Sequence, residues 1–143
     1  MMANVIFRGP ARVQPETVNL PVAGAYLPGT FVKSDGATLT QAADATGRLL
    51  LLSNRDMYTQ GVTDAYAADE TGVAYRIQPE YEMQAAFAAG TYTTGQELTL
   101  NASGQLTAAA ATNLVVAFFD QAGATLTAGQ LADVVIADTY TKA

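Results

Sequence analysis

Between residues 73 and 87 every odd position is apolar, from Val73 through Tyr75, Ile77, Pro79, Tyr81, Met83 and Ala85 to Phe87. The even positions are Ala74, Arg76, Gln78, Glu80, Glu82, Gln84 and Ala86. Successive side chains of a β-strand point to opposite faces, so the alternation predicts a strand with one dry and one wet face. Pro79 offers no N–H to a ladder and must then sit at an edge, a bulge or a break. A short helix over 79–89 stays open as the rival. Pro79 would be its first residue, Glu80 and Glu82 would lie in its first turn, and Gly90 would follow its end. The alternation begins before Pro79 and continues through it, which favours the strand.

Further strands are predicted at 30–33, 48–53, 97–101, 114–120 and 133–139, each bounded by Gly or Asp punctuation. The runs at 49–52 and 114–119 are apolar on both faces. That pattern suits central strands covered on each side, or strands whose second face meets a neighbouring subunit. Many short strands in 143 residues predict one all-β domain, a small β-barrel or a sandwich.

Residues 1–22 differ from the rest. Arg8 and Arg12 stand against one acid, Glu16, and prolines occupy positions 10, 15 and 21. That proline spacing forbids a helix and favours an extended path without regular pairing. Val5, Ile6, Phe7, Val13, Val18 and Leu20 make the segment too apolar for a free linker. It is expected either to be an extended arm lying on a partner surface or to form a first strand on its own domain. Residues 23–143 form the body.

Short phrases recur. G-x-Y-x-x-G stands at 24–29 and again at 90–95, and Gly-Ala-Thr-Leu-Thr at 36–40 and 123–127. Ala-Asp-x-Thr-Gly occurs at 43–47 and 68–72. Gly supplies the positive φ of tight turns, and Asp and Thr close turns locally, so these phrases predict reused hairpin modules in one domain.

The chain has no His, no Cys and no Trp. This removes imidazole general bases, thiol nucleophiles, the usual zinc sites and disulfides, and it points away from an enzyme. A net charge of −6 argues against nucleic-acid binding, which needs clustered cations. The longest strongly apolar run, 114–119, is far short of the ~20 residues that span a bilayer as a helix. One cation and a three-residue apolar group within 1–10 predict no signal peptide. Neither Asp-bearing Thr-Gly phrase has Asp directly before Thr, so an aspartic-protease dyad is not indicated. Asp64, Asp69 and Glu70 lack the spacing of a calcium loop and are expected to be solvated. Asn101-Ala-Ser103 has the form of a glycosylation sequon but suits a hairpin turn. No catalytic residue, metal site or cofactor is predicted.

Seven tyrosines remain as amphipathic groups suited to sheets or interfaces. Ordinary sheet packing is expected for Tyr75, Tyr81 and Tyr92. Tyr140, beyond the last apolar strand, is a candidate for self-association together with Phe118 and Phe119.

Three phrases carry a family resemblance. They are Tyr26-Leu-Pro-Gly-Thr-Phe-Val with the Ser34-Asp-Gly36 turn, Ala89-Gly-Thr-Tyr-Thr-Thr-Gly-Gln-Glu-Leu with Asn101-Ala-Ser-Gly104, and Ala128-Gly-Gln-Leu-Ala-Asp-Val-Val-Ile. Through their order and the acidic, Cys-free, Ala/Gly/Thr-rich style, the chain resembles the capsid decoration (cement) proteins of tailed bacteriophages. The resemblance implies a β-barrel or β-tulip-like body on the outer capsid surface of a virion assembled in the host cytoplasm. It implies binding across adjoining major capsid protein subunits, commonly as a trimer and sometimes as a dimer. The terminal arm of such proteins runs across the shell, and here 4–20 would match it, with Val5, Ile6, Phe7, Arg8, Arg12 and Val13 as the capsid-binding residues. Its prolines depart from a long regular arm strand. Another phage virion part, such as a head-fibre base, a tail tube or a host-adhesion module, is the alternative. A non-viral β-domain or an enzyme comes third.

Overall fold

The computed structural model describes residues 5–143. The protein is all-β. A single short 3-10 turn, Asp56–Tyr58, interrupts the strands, and no α-helix forms among the described residues. An antiparallel six-stranded sheet runs in the order β1 (Phe7–Gly9), β7 (Glu82–Ala86), β13 (Leu131–Thr141), β11 (Leu114–Phe119), β9 (Glu97–Leu100) and β10 (Leu106–Ala108). A second, five-stranded sheet runs β2 (Thr17–Pro21), β6 (Thr71–Arg76), β5 (Leu50–Ser53), β3 (Phe31–Ser34) and β4 (Leu39–Gln41). The remaining pair is β8 (Gly90–Tyr92) with β12 (Ala124–Leu126). No closed barrel forms among the described residues, and a single bridge, Val22 with Leu39, joins the two edges of the five-stranded sheet.

The long alternation of 73–87 is not one strand. It is β6 of one sheet and β7 of the other, joined by a turn that Tyr81 N closes on the Gln78 carbonyl at 3.2 Å. Pro79 and Glu80 are the central residues of this turn. Glu80 has φ 73°, the left-handed backbone that a type II turn requires after proline. Parity survives the crossing because both sheets turn one face to the same core. Tyr75, Ile77, Tyr81, Met83, Ala85 and Phe87 all join it. The helix rival is not what forms, since 82–86 pairs with both β1 and β13.

Residues of both large sheets build this main core, with Phe31 and Leu51 from one and Met83, Leu98, Phe119, Val134 and Ile136 from the other. A second cluster, Val22, Val32, Leu39, Leu50, Leu52, Tyr66 and Ala74, covers the opposite face of the five-stranded sheet. Hence the unbroken apolar run of β5: Leu51 faces one cluster, while Leu50 and Leu52 face the other. Such a central strand needs no neighbouring subunit to cover it.

Gly29 links the two sheets. Its N–H donates to the Leu52 carbonyl of β5 at 2.7 Å, and its own carbonyl accepts from Ala86 N of β7 at 2.9 Å. It does so at φ 89°, where an added Cβ would lie 2.4 Å from Leu131 and 3.1 Å from Ala86 N. Only glycine fits this backbone and this approach together.

The N-terminal segment also differs from a path without pairing. β1 pairs with β7, β2 pairs with β6 through five residues, and the prolines fall between or at the ends of these strands. Pro10 follows a cis peptide bond. Residues 1–4, the start of the expected arm, lie outside the described residues.

Candidate functional site

The six N-terminal candidates divide by direction. Ile6 is 1% exposed and belongs to the main core. Phe7 packs on the same core, its ring 6.0 Å from that of Tyr75 and 5.5 Å from that of Tyr81. Val5 is exposed just before this anchor. The Arg8 guanidinium lies 3.6 Å from the Asp133 carboxylate of β13. After β1 the chain turns, with Val13 N donating to the Pro10 carbonyl at 3.1 Å. Arg12 is exposed on that turn, and Val13 is half-buried. The segment therefore presents Val5 and Arg12 outward from a strand that Ile6 and Phe7 hold down.

The self-association candidates also divide. Phe119 is buried among Phe87 and Tyr92, with ring centroids 5.5 and 5.8 Å away. Phe118 points the other way and lies 6.3 Å from the Tyr140 ring. A register shift between Val115 and Ala117 places Val116 and Ala117 together in the core, as a bulge does, and restores alternation by Phe118. Glu97, opposite Phe118 on β9, ties the patch together. It accepts from the Tyr140 hydroxyl and, at 2.6 Å, from the Lys142 ammonium. These bonds, Lys142 first and Tyr140 second, hold the Glu97 carboxyl below the usual carboxylate range. The same contact raises the Tyr140 phenol.

The acidic loop between β5 and β6 uses its carboxylates internally. Asp64 accepts from Gly61 N at 2.8 Å, and Glu70 accepts from Ala67 N at 2.6 Å and from Arg55 at 2.7 Å. Asn101 caps the β9–β10 turn, its side-chain oxygen accepting from Ser103 N and Gln105 N, as a hairpin reading of that sequon expects.

No protein-family model matches the chain, and no curated protein matches it.

Two features escaped the sequence reading. The first is the loop tip, where Met57 and Tyr58 stand out to solvent. Their only sequence signal is an apolar pair isolated among Asn, Arg, Asp, Thr and Gln. The second is an open cleft of about 360 Å³ between the sheets, lined by Leu49, Ile77, Pro79, Leu114, Val116 and Ile136, with Arg48 and Asp138 beside them. Its walls come from four separate stretches of chain, which no local pattern could assemble.

Proposed function

We propose that this chain is a structural, non-enzymatic virion protein that decorates and stabilises the outer surface of a phage capsid by bridging adjacent major capsid protein subunits. The observation that carries the proposal is the placement of the N-terminal segment. β1 lies at the edge of the six-stranded sheet, with Val5 exposed immediately before it and Arg12 on the turn immediately after it. Sheet edges are where one protein adds strands to another, with pockets for alternate side chains giving specificity. Arg12 would pair with a capsid carboxylate and set register more than raw affinity. Ile6 and Phe7 serve as the internal anchor of this contact.

The body is best described as sandwich-like, a two-sheet arrangement around one core, which suits a rigid clamp on a shell. Self-association, as a trimer or a dimer, would use the Phe118–Tyr140 patch, where an aromatic pair is pinned by an ion pair on the outer sheet face. Cofactors, nucleic acid and membrane play no part in this function. The alternative, another phage virion component such as a head-fibre base, tail tube or host-adhesion module, is favoured by the exposed Tyr58 on a projecting loop.

Size-exclusion chromatography with light scattering, with and without expanded empty capsids, tests the proposal. The chain should co-migrate with shells and saturate at a fixed copy number per capsid subunit. Val5→Asp and Arg12→Glu should lower that saturation while leaving the fold intact. These point changes are preferable to removing residues 1–20, which would take β1, most of β2 and the buried Ile6 out of the body. A chain that ignores capsids would overturn the proposal in favour of the tail or fibre alternative.

A further inference from the structure

We propose that copies of this chain associate head to tail, the Met57–Tyr58 tip of one copy seating in the apolar cleft beside Arg48 of the next. Met57 is 95% exposed and Tyr58 72% exposed, the two most exposed large apolar side chains among the described residues. Both residue types are enriched at protein interfaces, and Tyr recurs among the few side chains that dominate binding.

The tip is held in shape before any partner arrives. Asn54 Nδ2 donates to the Gln60 carbonyl at 2.7 Å, and Arg55 N donates to Gln60 Oε1 at 2.8 Å. Thr59 takes a left-handed backbone, φ 60°, and its N–H closes on the Asp56 carbonyl. The Arg55 guanidinium sits 5.2 Å over the Tyr58 ring and also over the Tyr66 ring, and it is anchored by Glu70. A tip fixed this way loses little freedom on docking.

The cleft offers the complementary chemistry. Its apolar walls suit a Met and a Tyr side chain. Arg8, Lys33, Arg55, Arg76 and Lys142 each form an ion pair within the chain. Arg48, which borders the cleft, has no such partner among the described residues. The tip loop, residues 54–70, carries Asp56, Asp64, Asp69 and Glu70 against Arg55 alone. An acidic loop with an apolar tip thus meets an apolar cleft whose rim carries Arg48, without an ion pair among the described residues, and the exposed Asp138.

Topology makes the contact intermolecular. Arg48 and Leu49 immediately precede β5, and Asn54 immediately follows it. Cleft and tip therefore lie at opposite ends of one four-residue strand, about 13 Å long at strand rise. A tip–cleft contact made once per pair of copies is heterologous, and it builds a ring if the rotation closes or a filament if it does not. It uses neither β1 nor the Phe118–Tyr140 patch, and it stands whether or not the chain binds capsids.

Complementary variants test this. One carries Met57→Ala and Tyr58→Ala with its cleft intact. The other carries Arg48→Glu, with Arg48→Gln as a milder version, and keeps its tip. Sedimentation velocity should show association of the unaltered chain that rises with concentration. With Phe118→Ala and Tyr140→Ala added to remove the other candidate contact, each variant alone should run as a monomer with an unchanged far-ultraviolet circular dichroism spectrum. Mixed in equal amounts, the two should form a dimer and stop there, because one complementary contact remains. An interface that uses neither tip nor cleft would leave each variant associating on its own. The proposal fails if the unaltered chain stays monomeric at millimolar concentration, or if the mixture gives no dimer. It also fails if association of the Phe118→Ala, Tyr140→Ala chain is the same with and without Met57→Ala and Tyr58→Ala.

Discussion

The Tyr66 phenol donates to the Ser53 carbonyl, with 2.5 Å between the oxygens. This bond ties the loop between β5 and β6 back to the strand it leaves. The ring is buried in the second cluster, and its oxygen also accepts from Val73 N at 3.3 Å. Burial pushes the phenol above its ordinary pKa of 10.0, so it remains a donor through neutral pH. Tyr66→Phe removes one partner of each bond and leaves buried backbone groups unsatisfied, a loss of about 1–3 kcal/mol. Urea unfolding should show a lower midpoint at unchanged slope. A midpoint equal to that of the unaltered chain would show that the phenol contributes only packing.

Adjacent phenylalanines should respond very differently to truncation. Phe119 is buried against Phe87 and Tyr92, so Phe119→Ala should cost about 3–5 kcal/mol through lost burial and the cavity left behind. Phe118 on the opposite face should cost well under half of that in the isolated chain. Equal losses in chemical denaturation would contradict the assignment of faces.

Two glycines share a left-handed backbone but differ in surroundings. Gly36 has φ 94° with nothing near an added Cβ, whereas Gly29 has φ 89° against Leu131 and the Ala86 backbone. Gly36→Ala should therefore show the backbone cost alone, about 1–2 kcal/mol. Gly29→Ala should exceed it, because the sheet-linking hydrogen bonds shift as well. Differential scanning calorimetry of the pair checks the order.

Stability should fall at both ends of the pH scale. On the acid side, Glu97, Glu70, Asp35 and Asp44 are held below their ordinary values. The main causes are the Lys142 ammonium for Glu97, Ala67 N–H for Glu70, Thr38 N–H for Asp35 and the Thr46 hydroxyl for Asp44. A carboxyl depressed in the folded state contributes stability above its unfolded pKa and loses it as pH falls through the folded one. The decline should begin near 4.5 for Glu and 3.8 for Asp, then continue downward. On the alkaline side Tyr140 is raised by its bond to Glu97, and Tyr66 and Tyr92 by burial. Their contribution is complete below pH 10.0 and is lost above it. Glu97→Gln should return the Tyr140 absorbance titration toward its ordinary value. A titration that does not move would remove the Tyr140–Glu97 bond from solution.

Several elements were legible in advance because their information is local. The runs at 30–33, 48–53, 97–101, 114–120 and 133–139 overlap β3, β5, β9, β11 and β13. The echoed glycines agree too: Gly29 and Gly95, like Gly36 and Gly104, all take positive φ. Both copies of Gly-Ala-Thr-Leu-Thr lead to a short strand with its Leu buried, Leu39 and Leu126. The split of 73–87 was hidden because parity is all that alternation encodes. It says which face a side chain takes, and both sheets offered the same core.

By itself, the amino-acid sequence determined that the chain is all-β, where most of its longer strands lie, and which residues must turn. These follow from side-chain period, from glycine's access to left-handed backbone and from proline's missing N–H, each a property of a few neighbouring residues. Only the tertiary structure decided that Ile6 anchors the N-terminal segment, that Phe118 and Phe119 serve opposite faces, and that Arg48 ends beside a cleft with no ion pair among the described residues. Those outcomes depend on which distant strands pair and which face of each sheet is covered. Burial and charge pairing are settled by contacts across the whole chain, and no local pattern carries them.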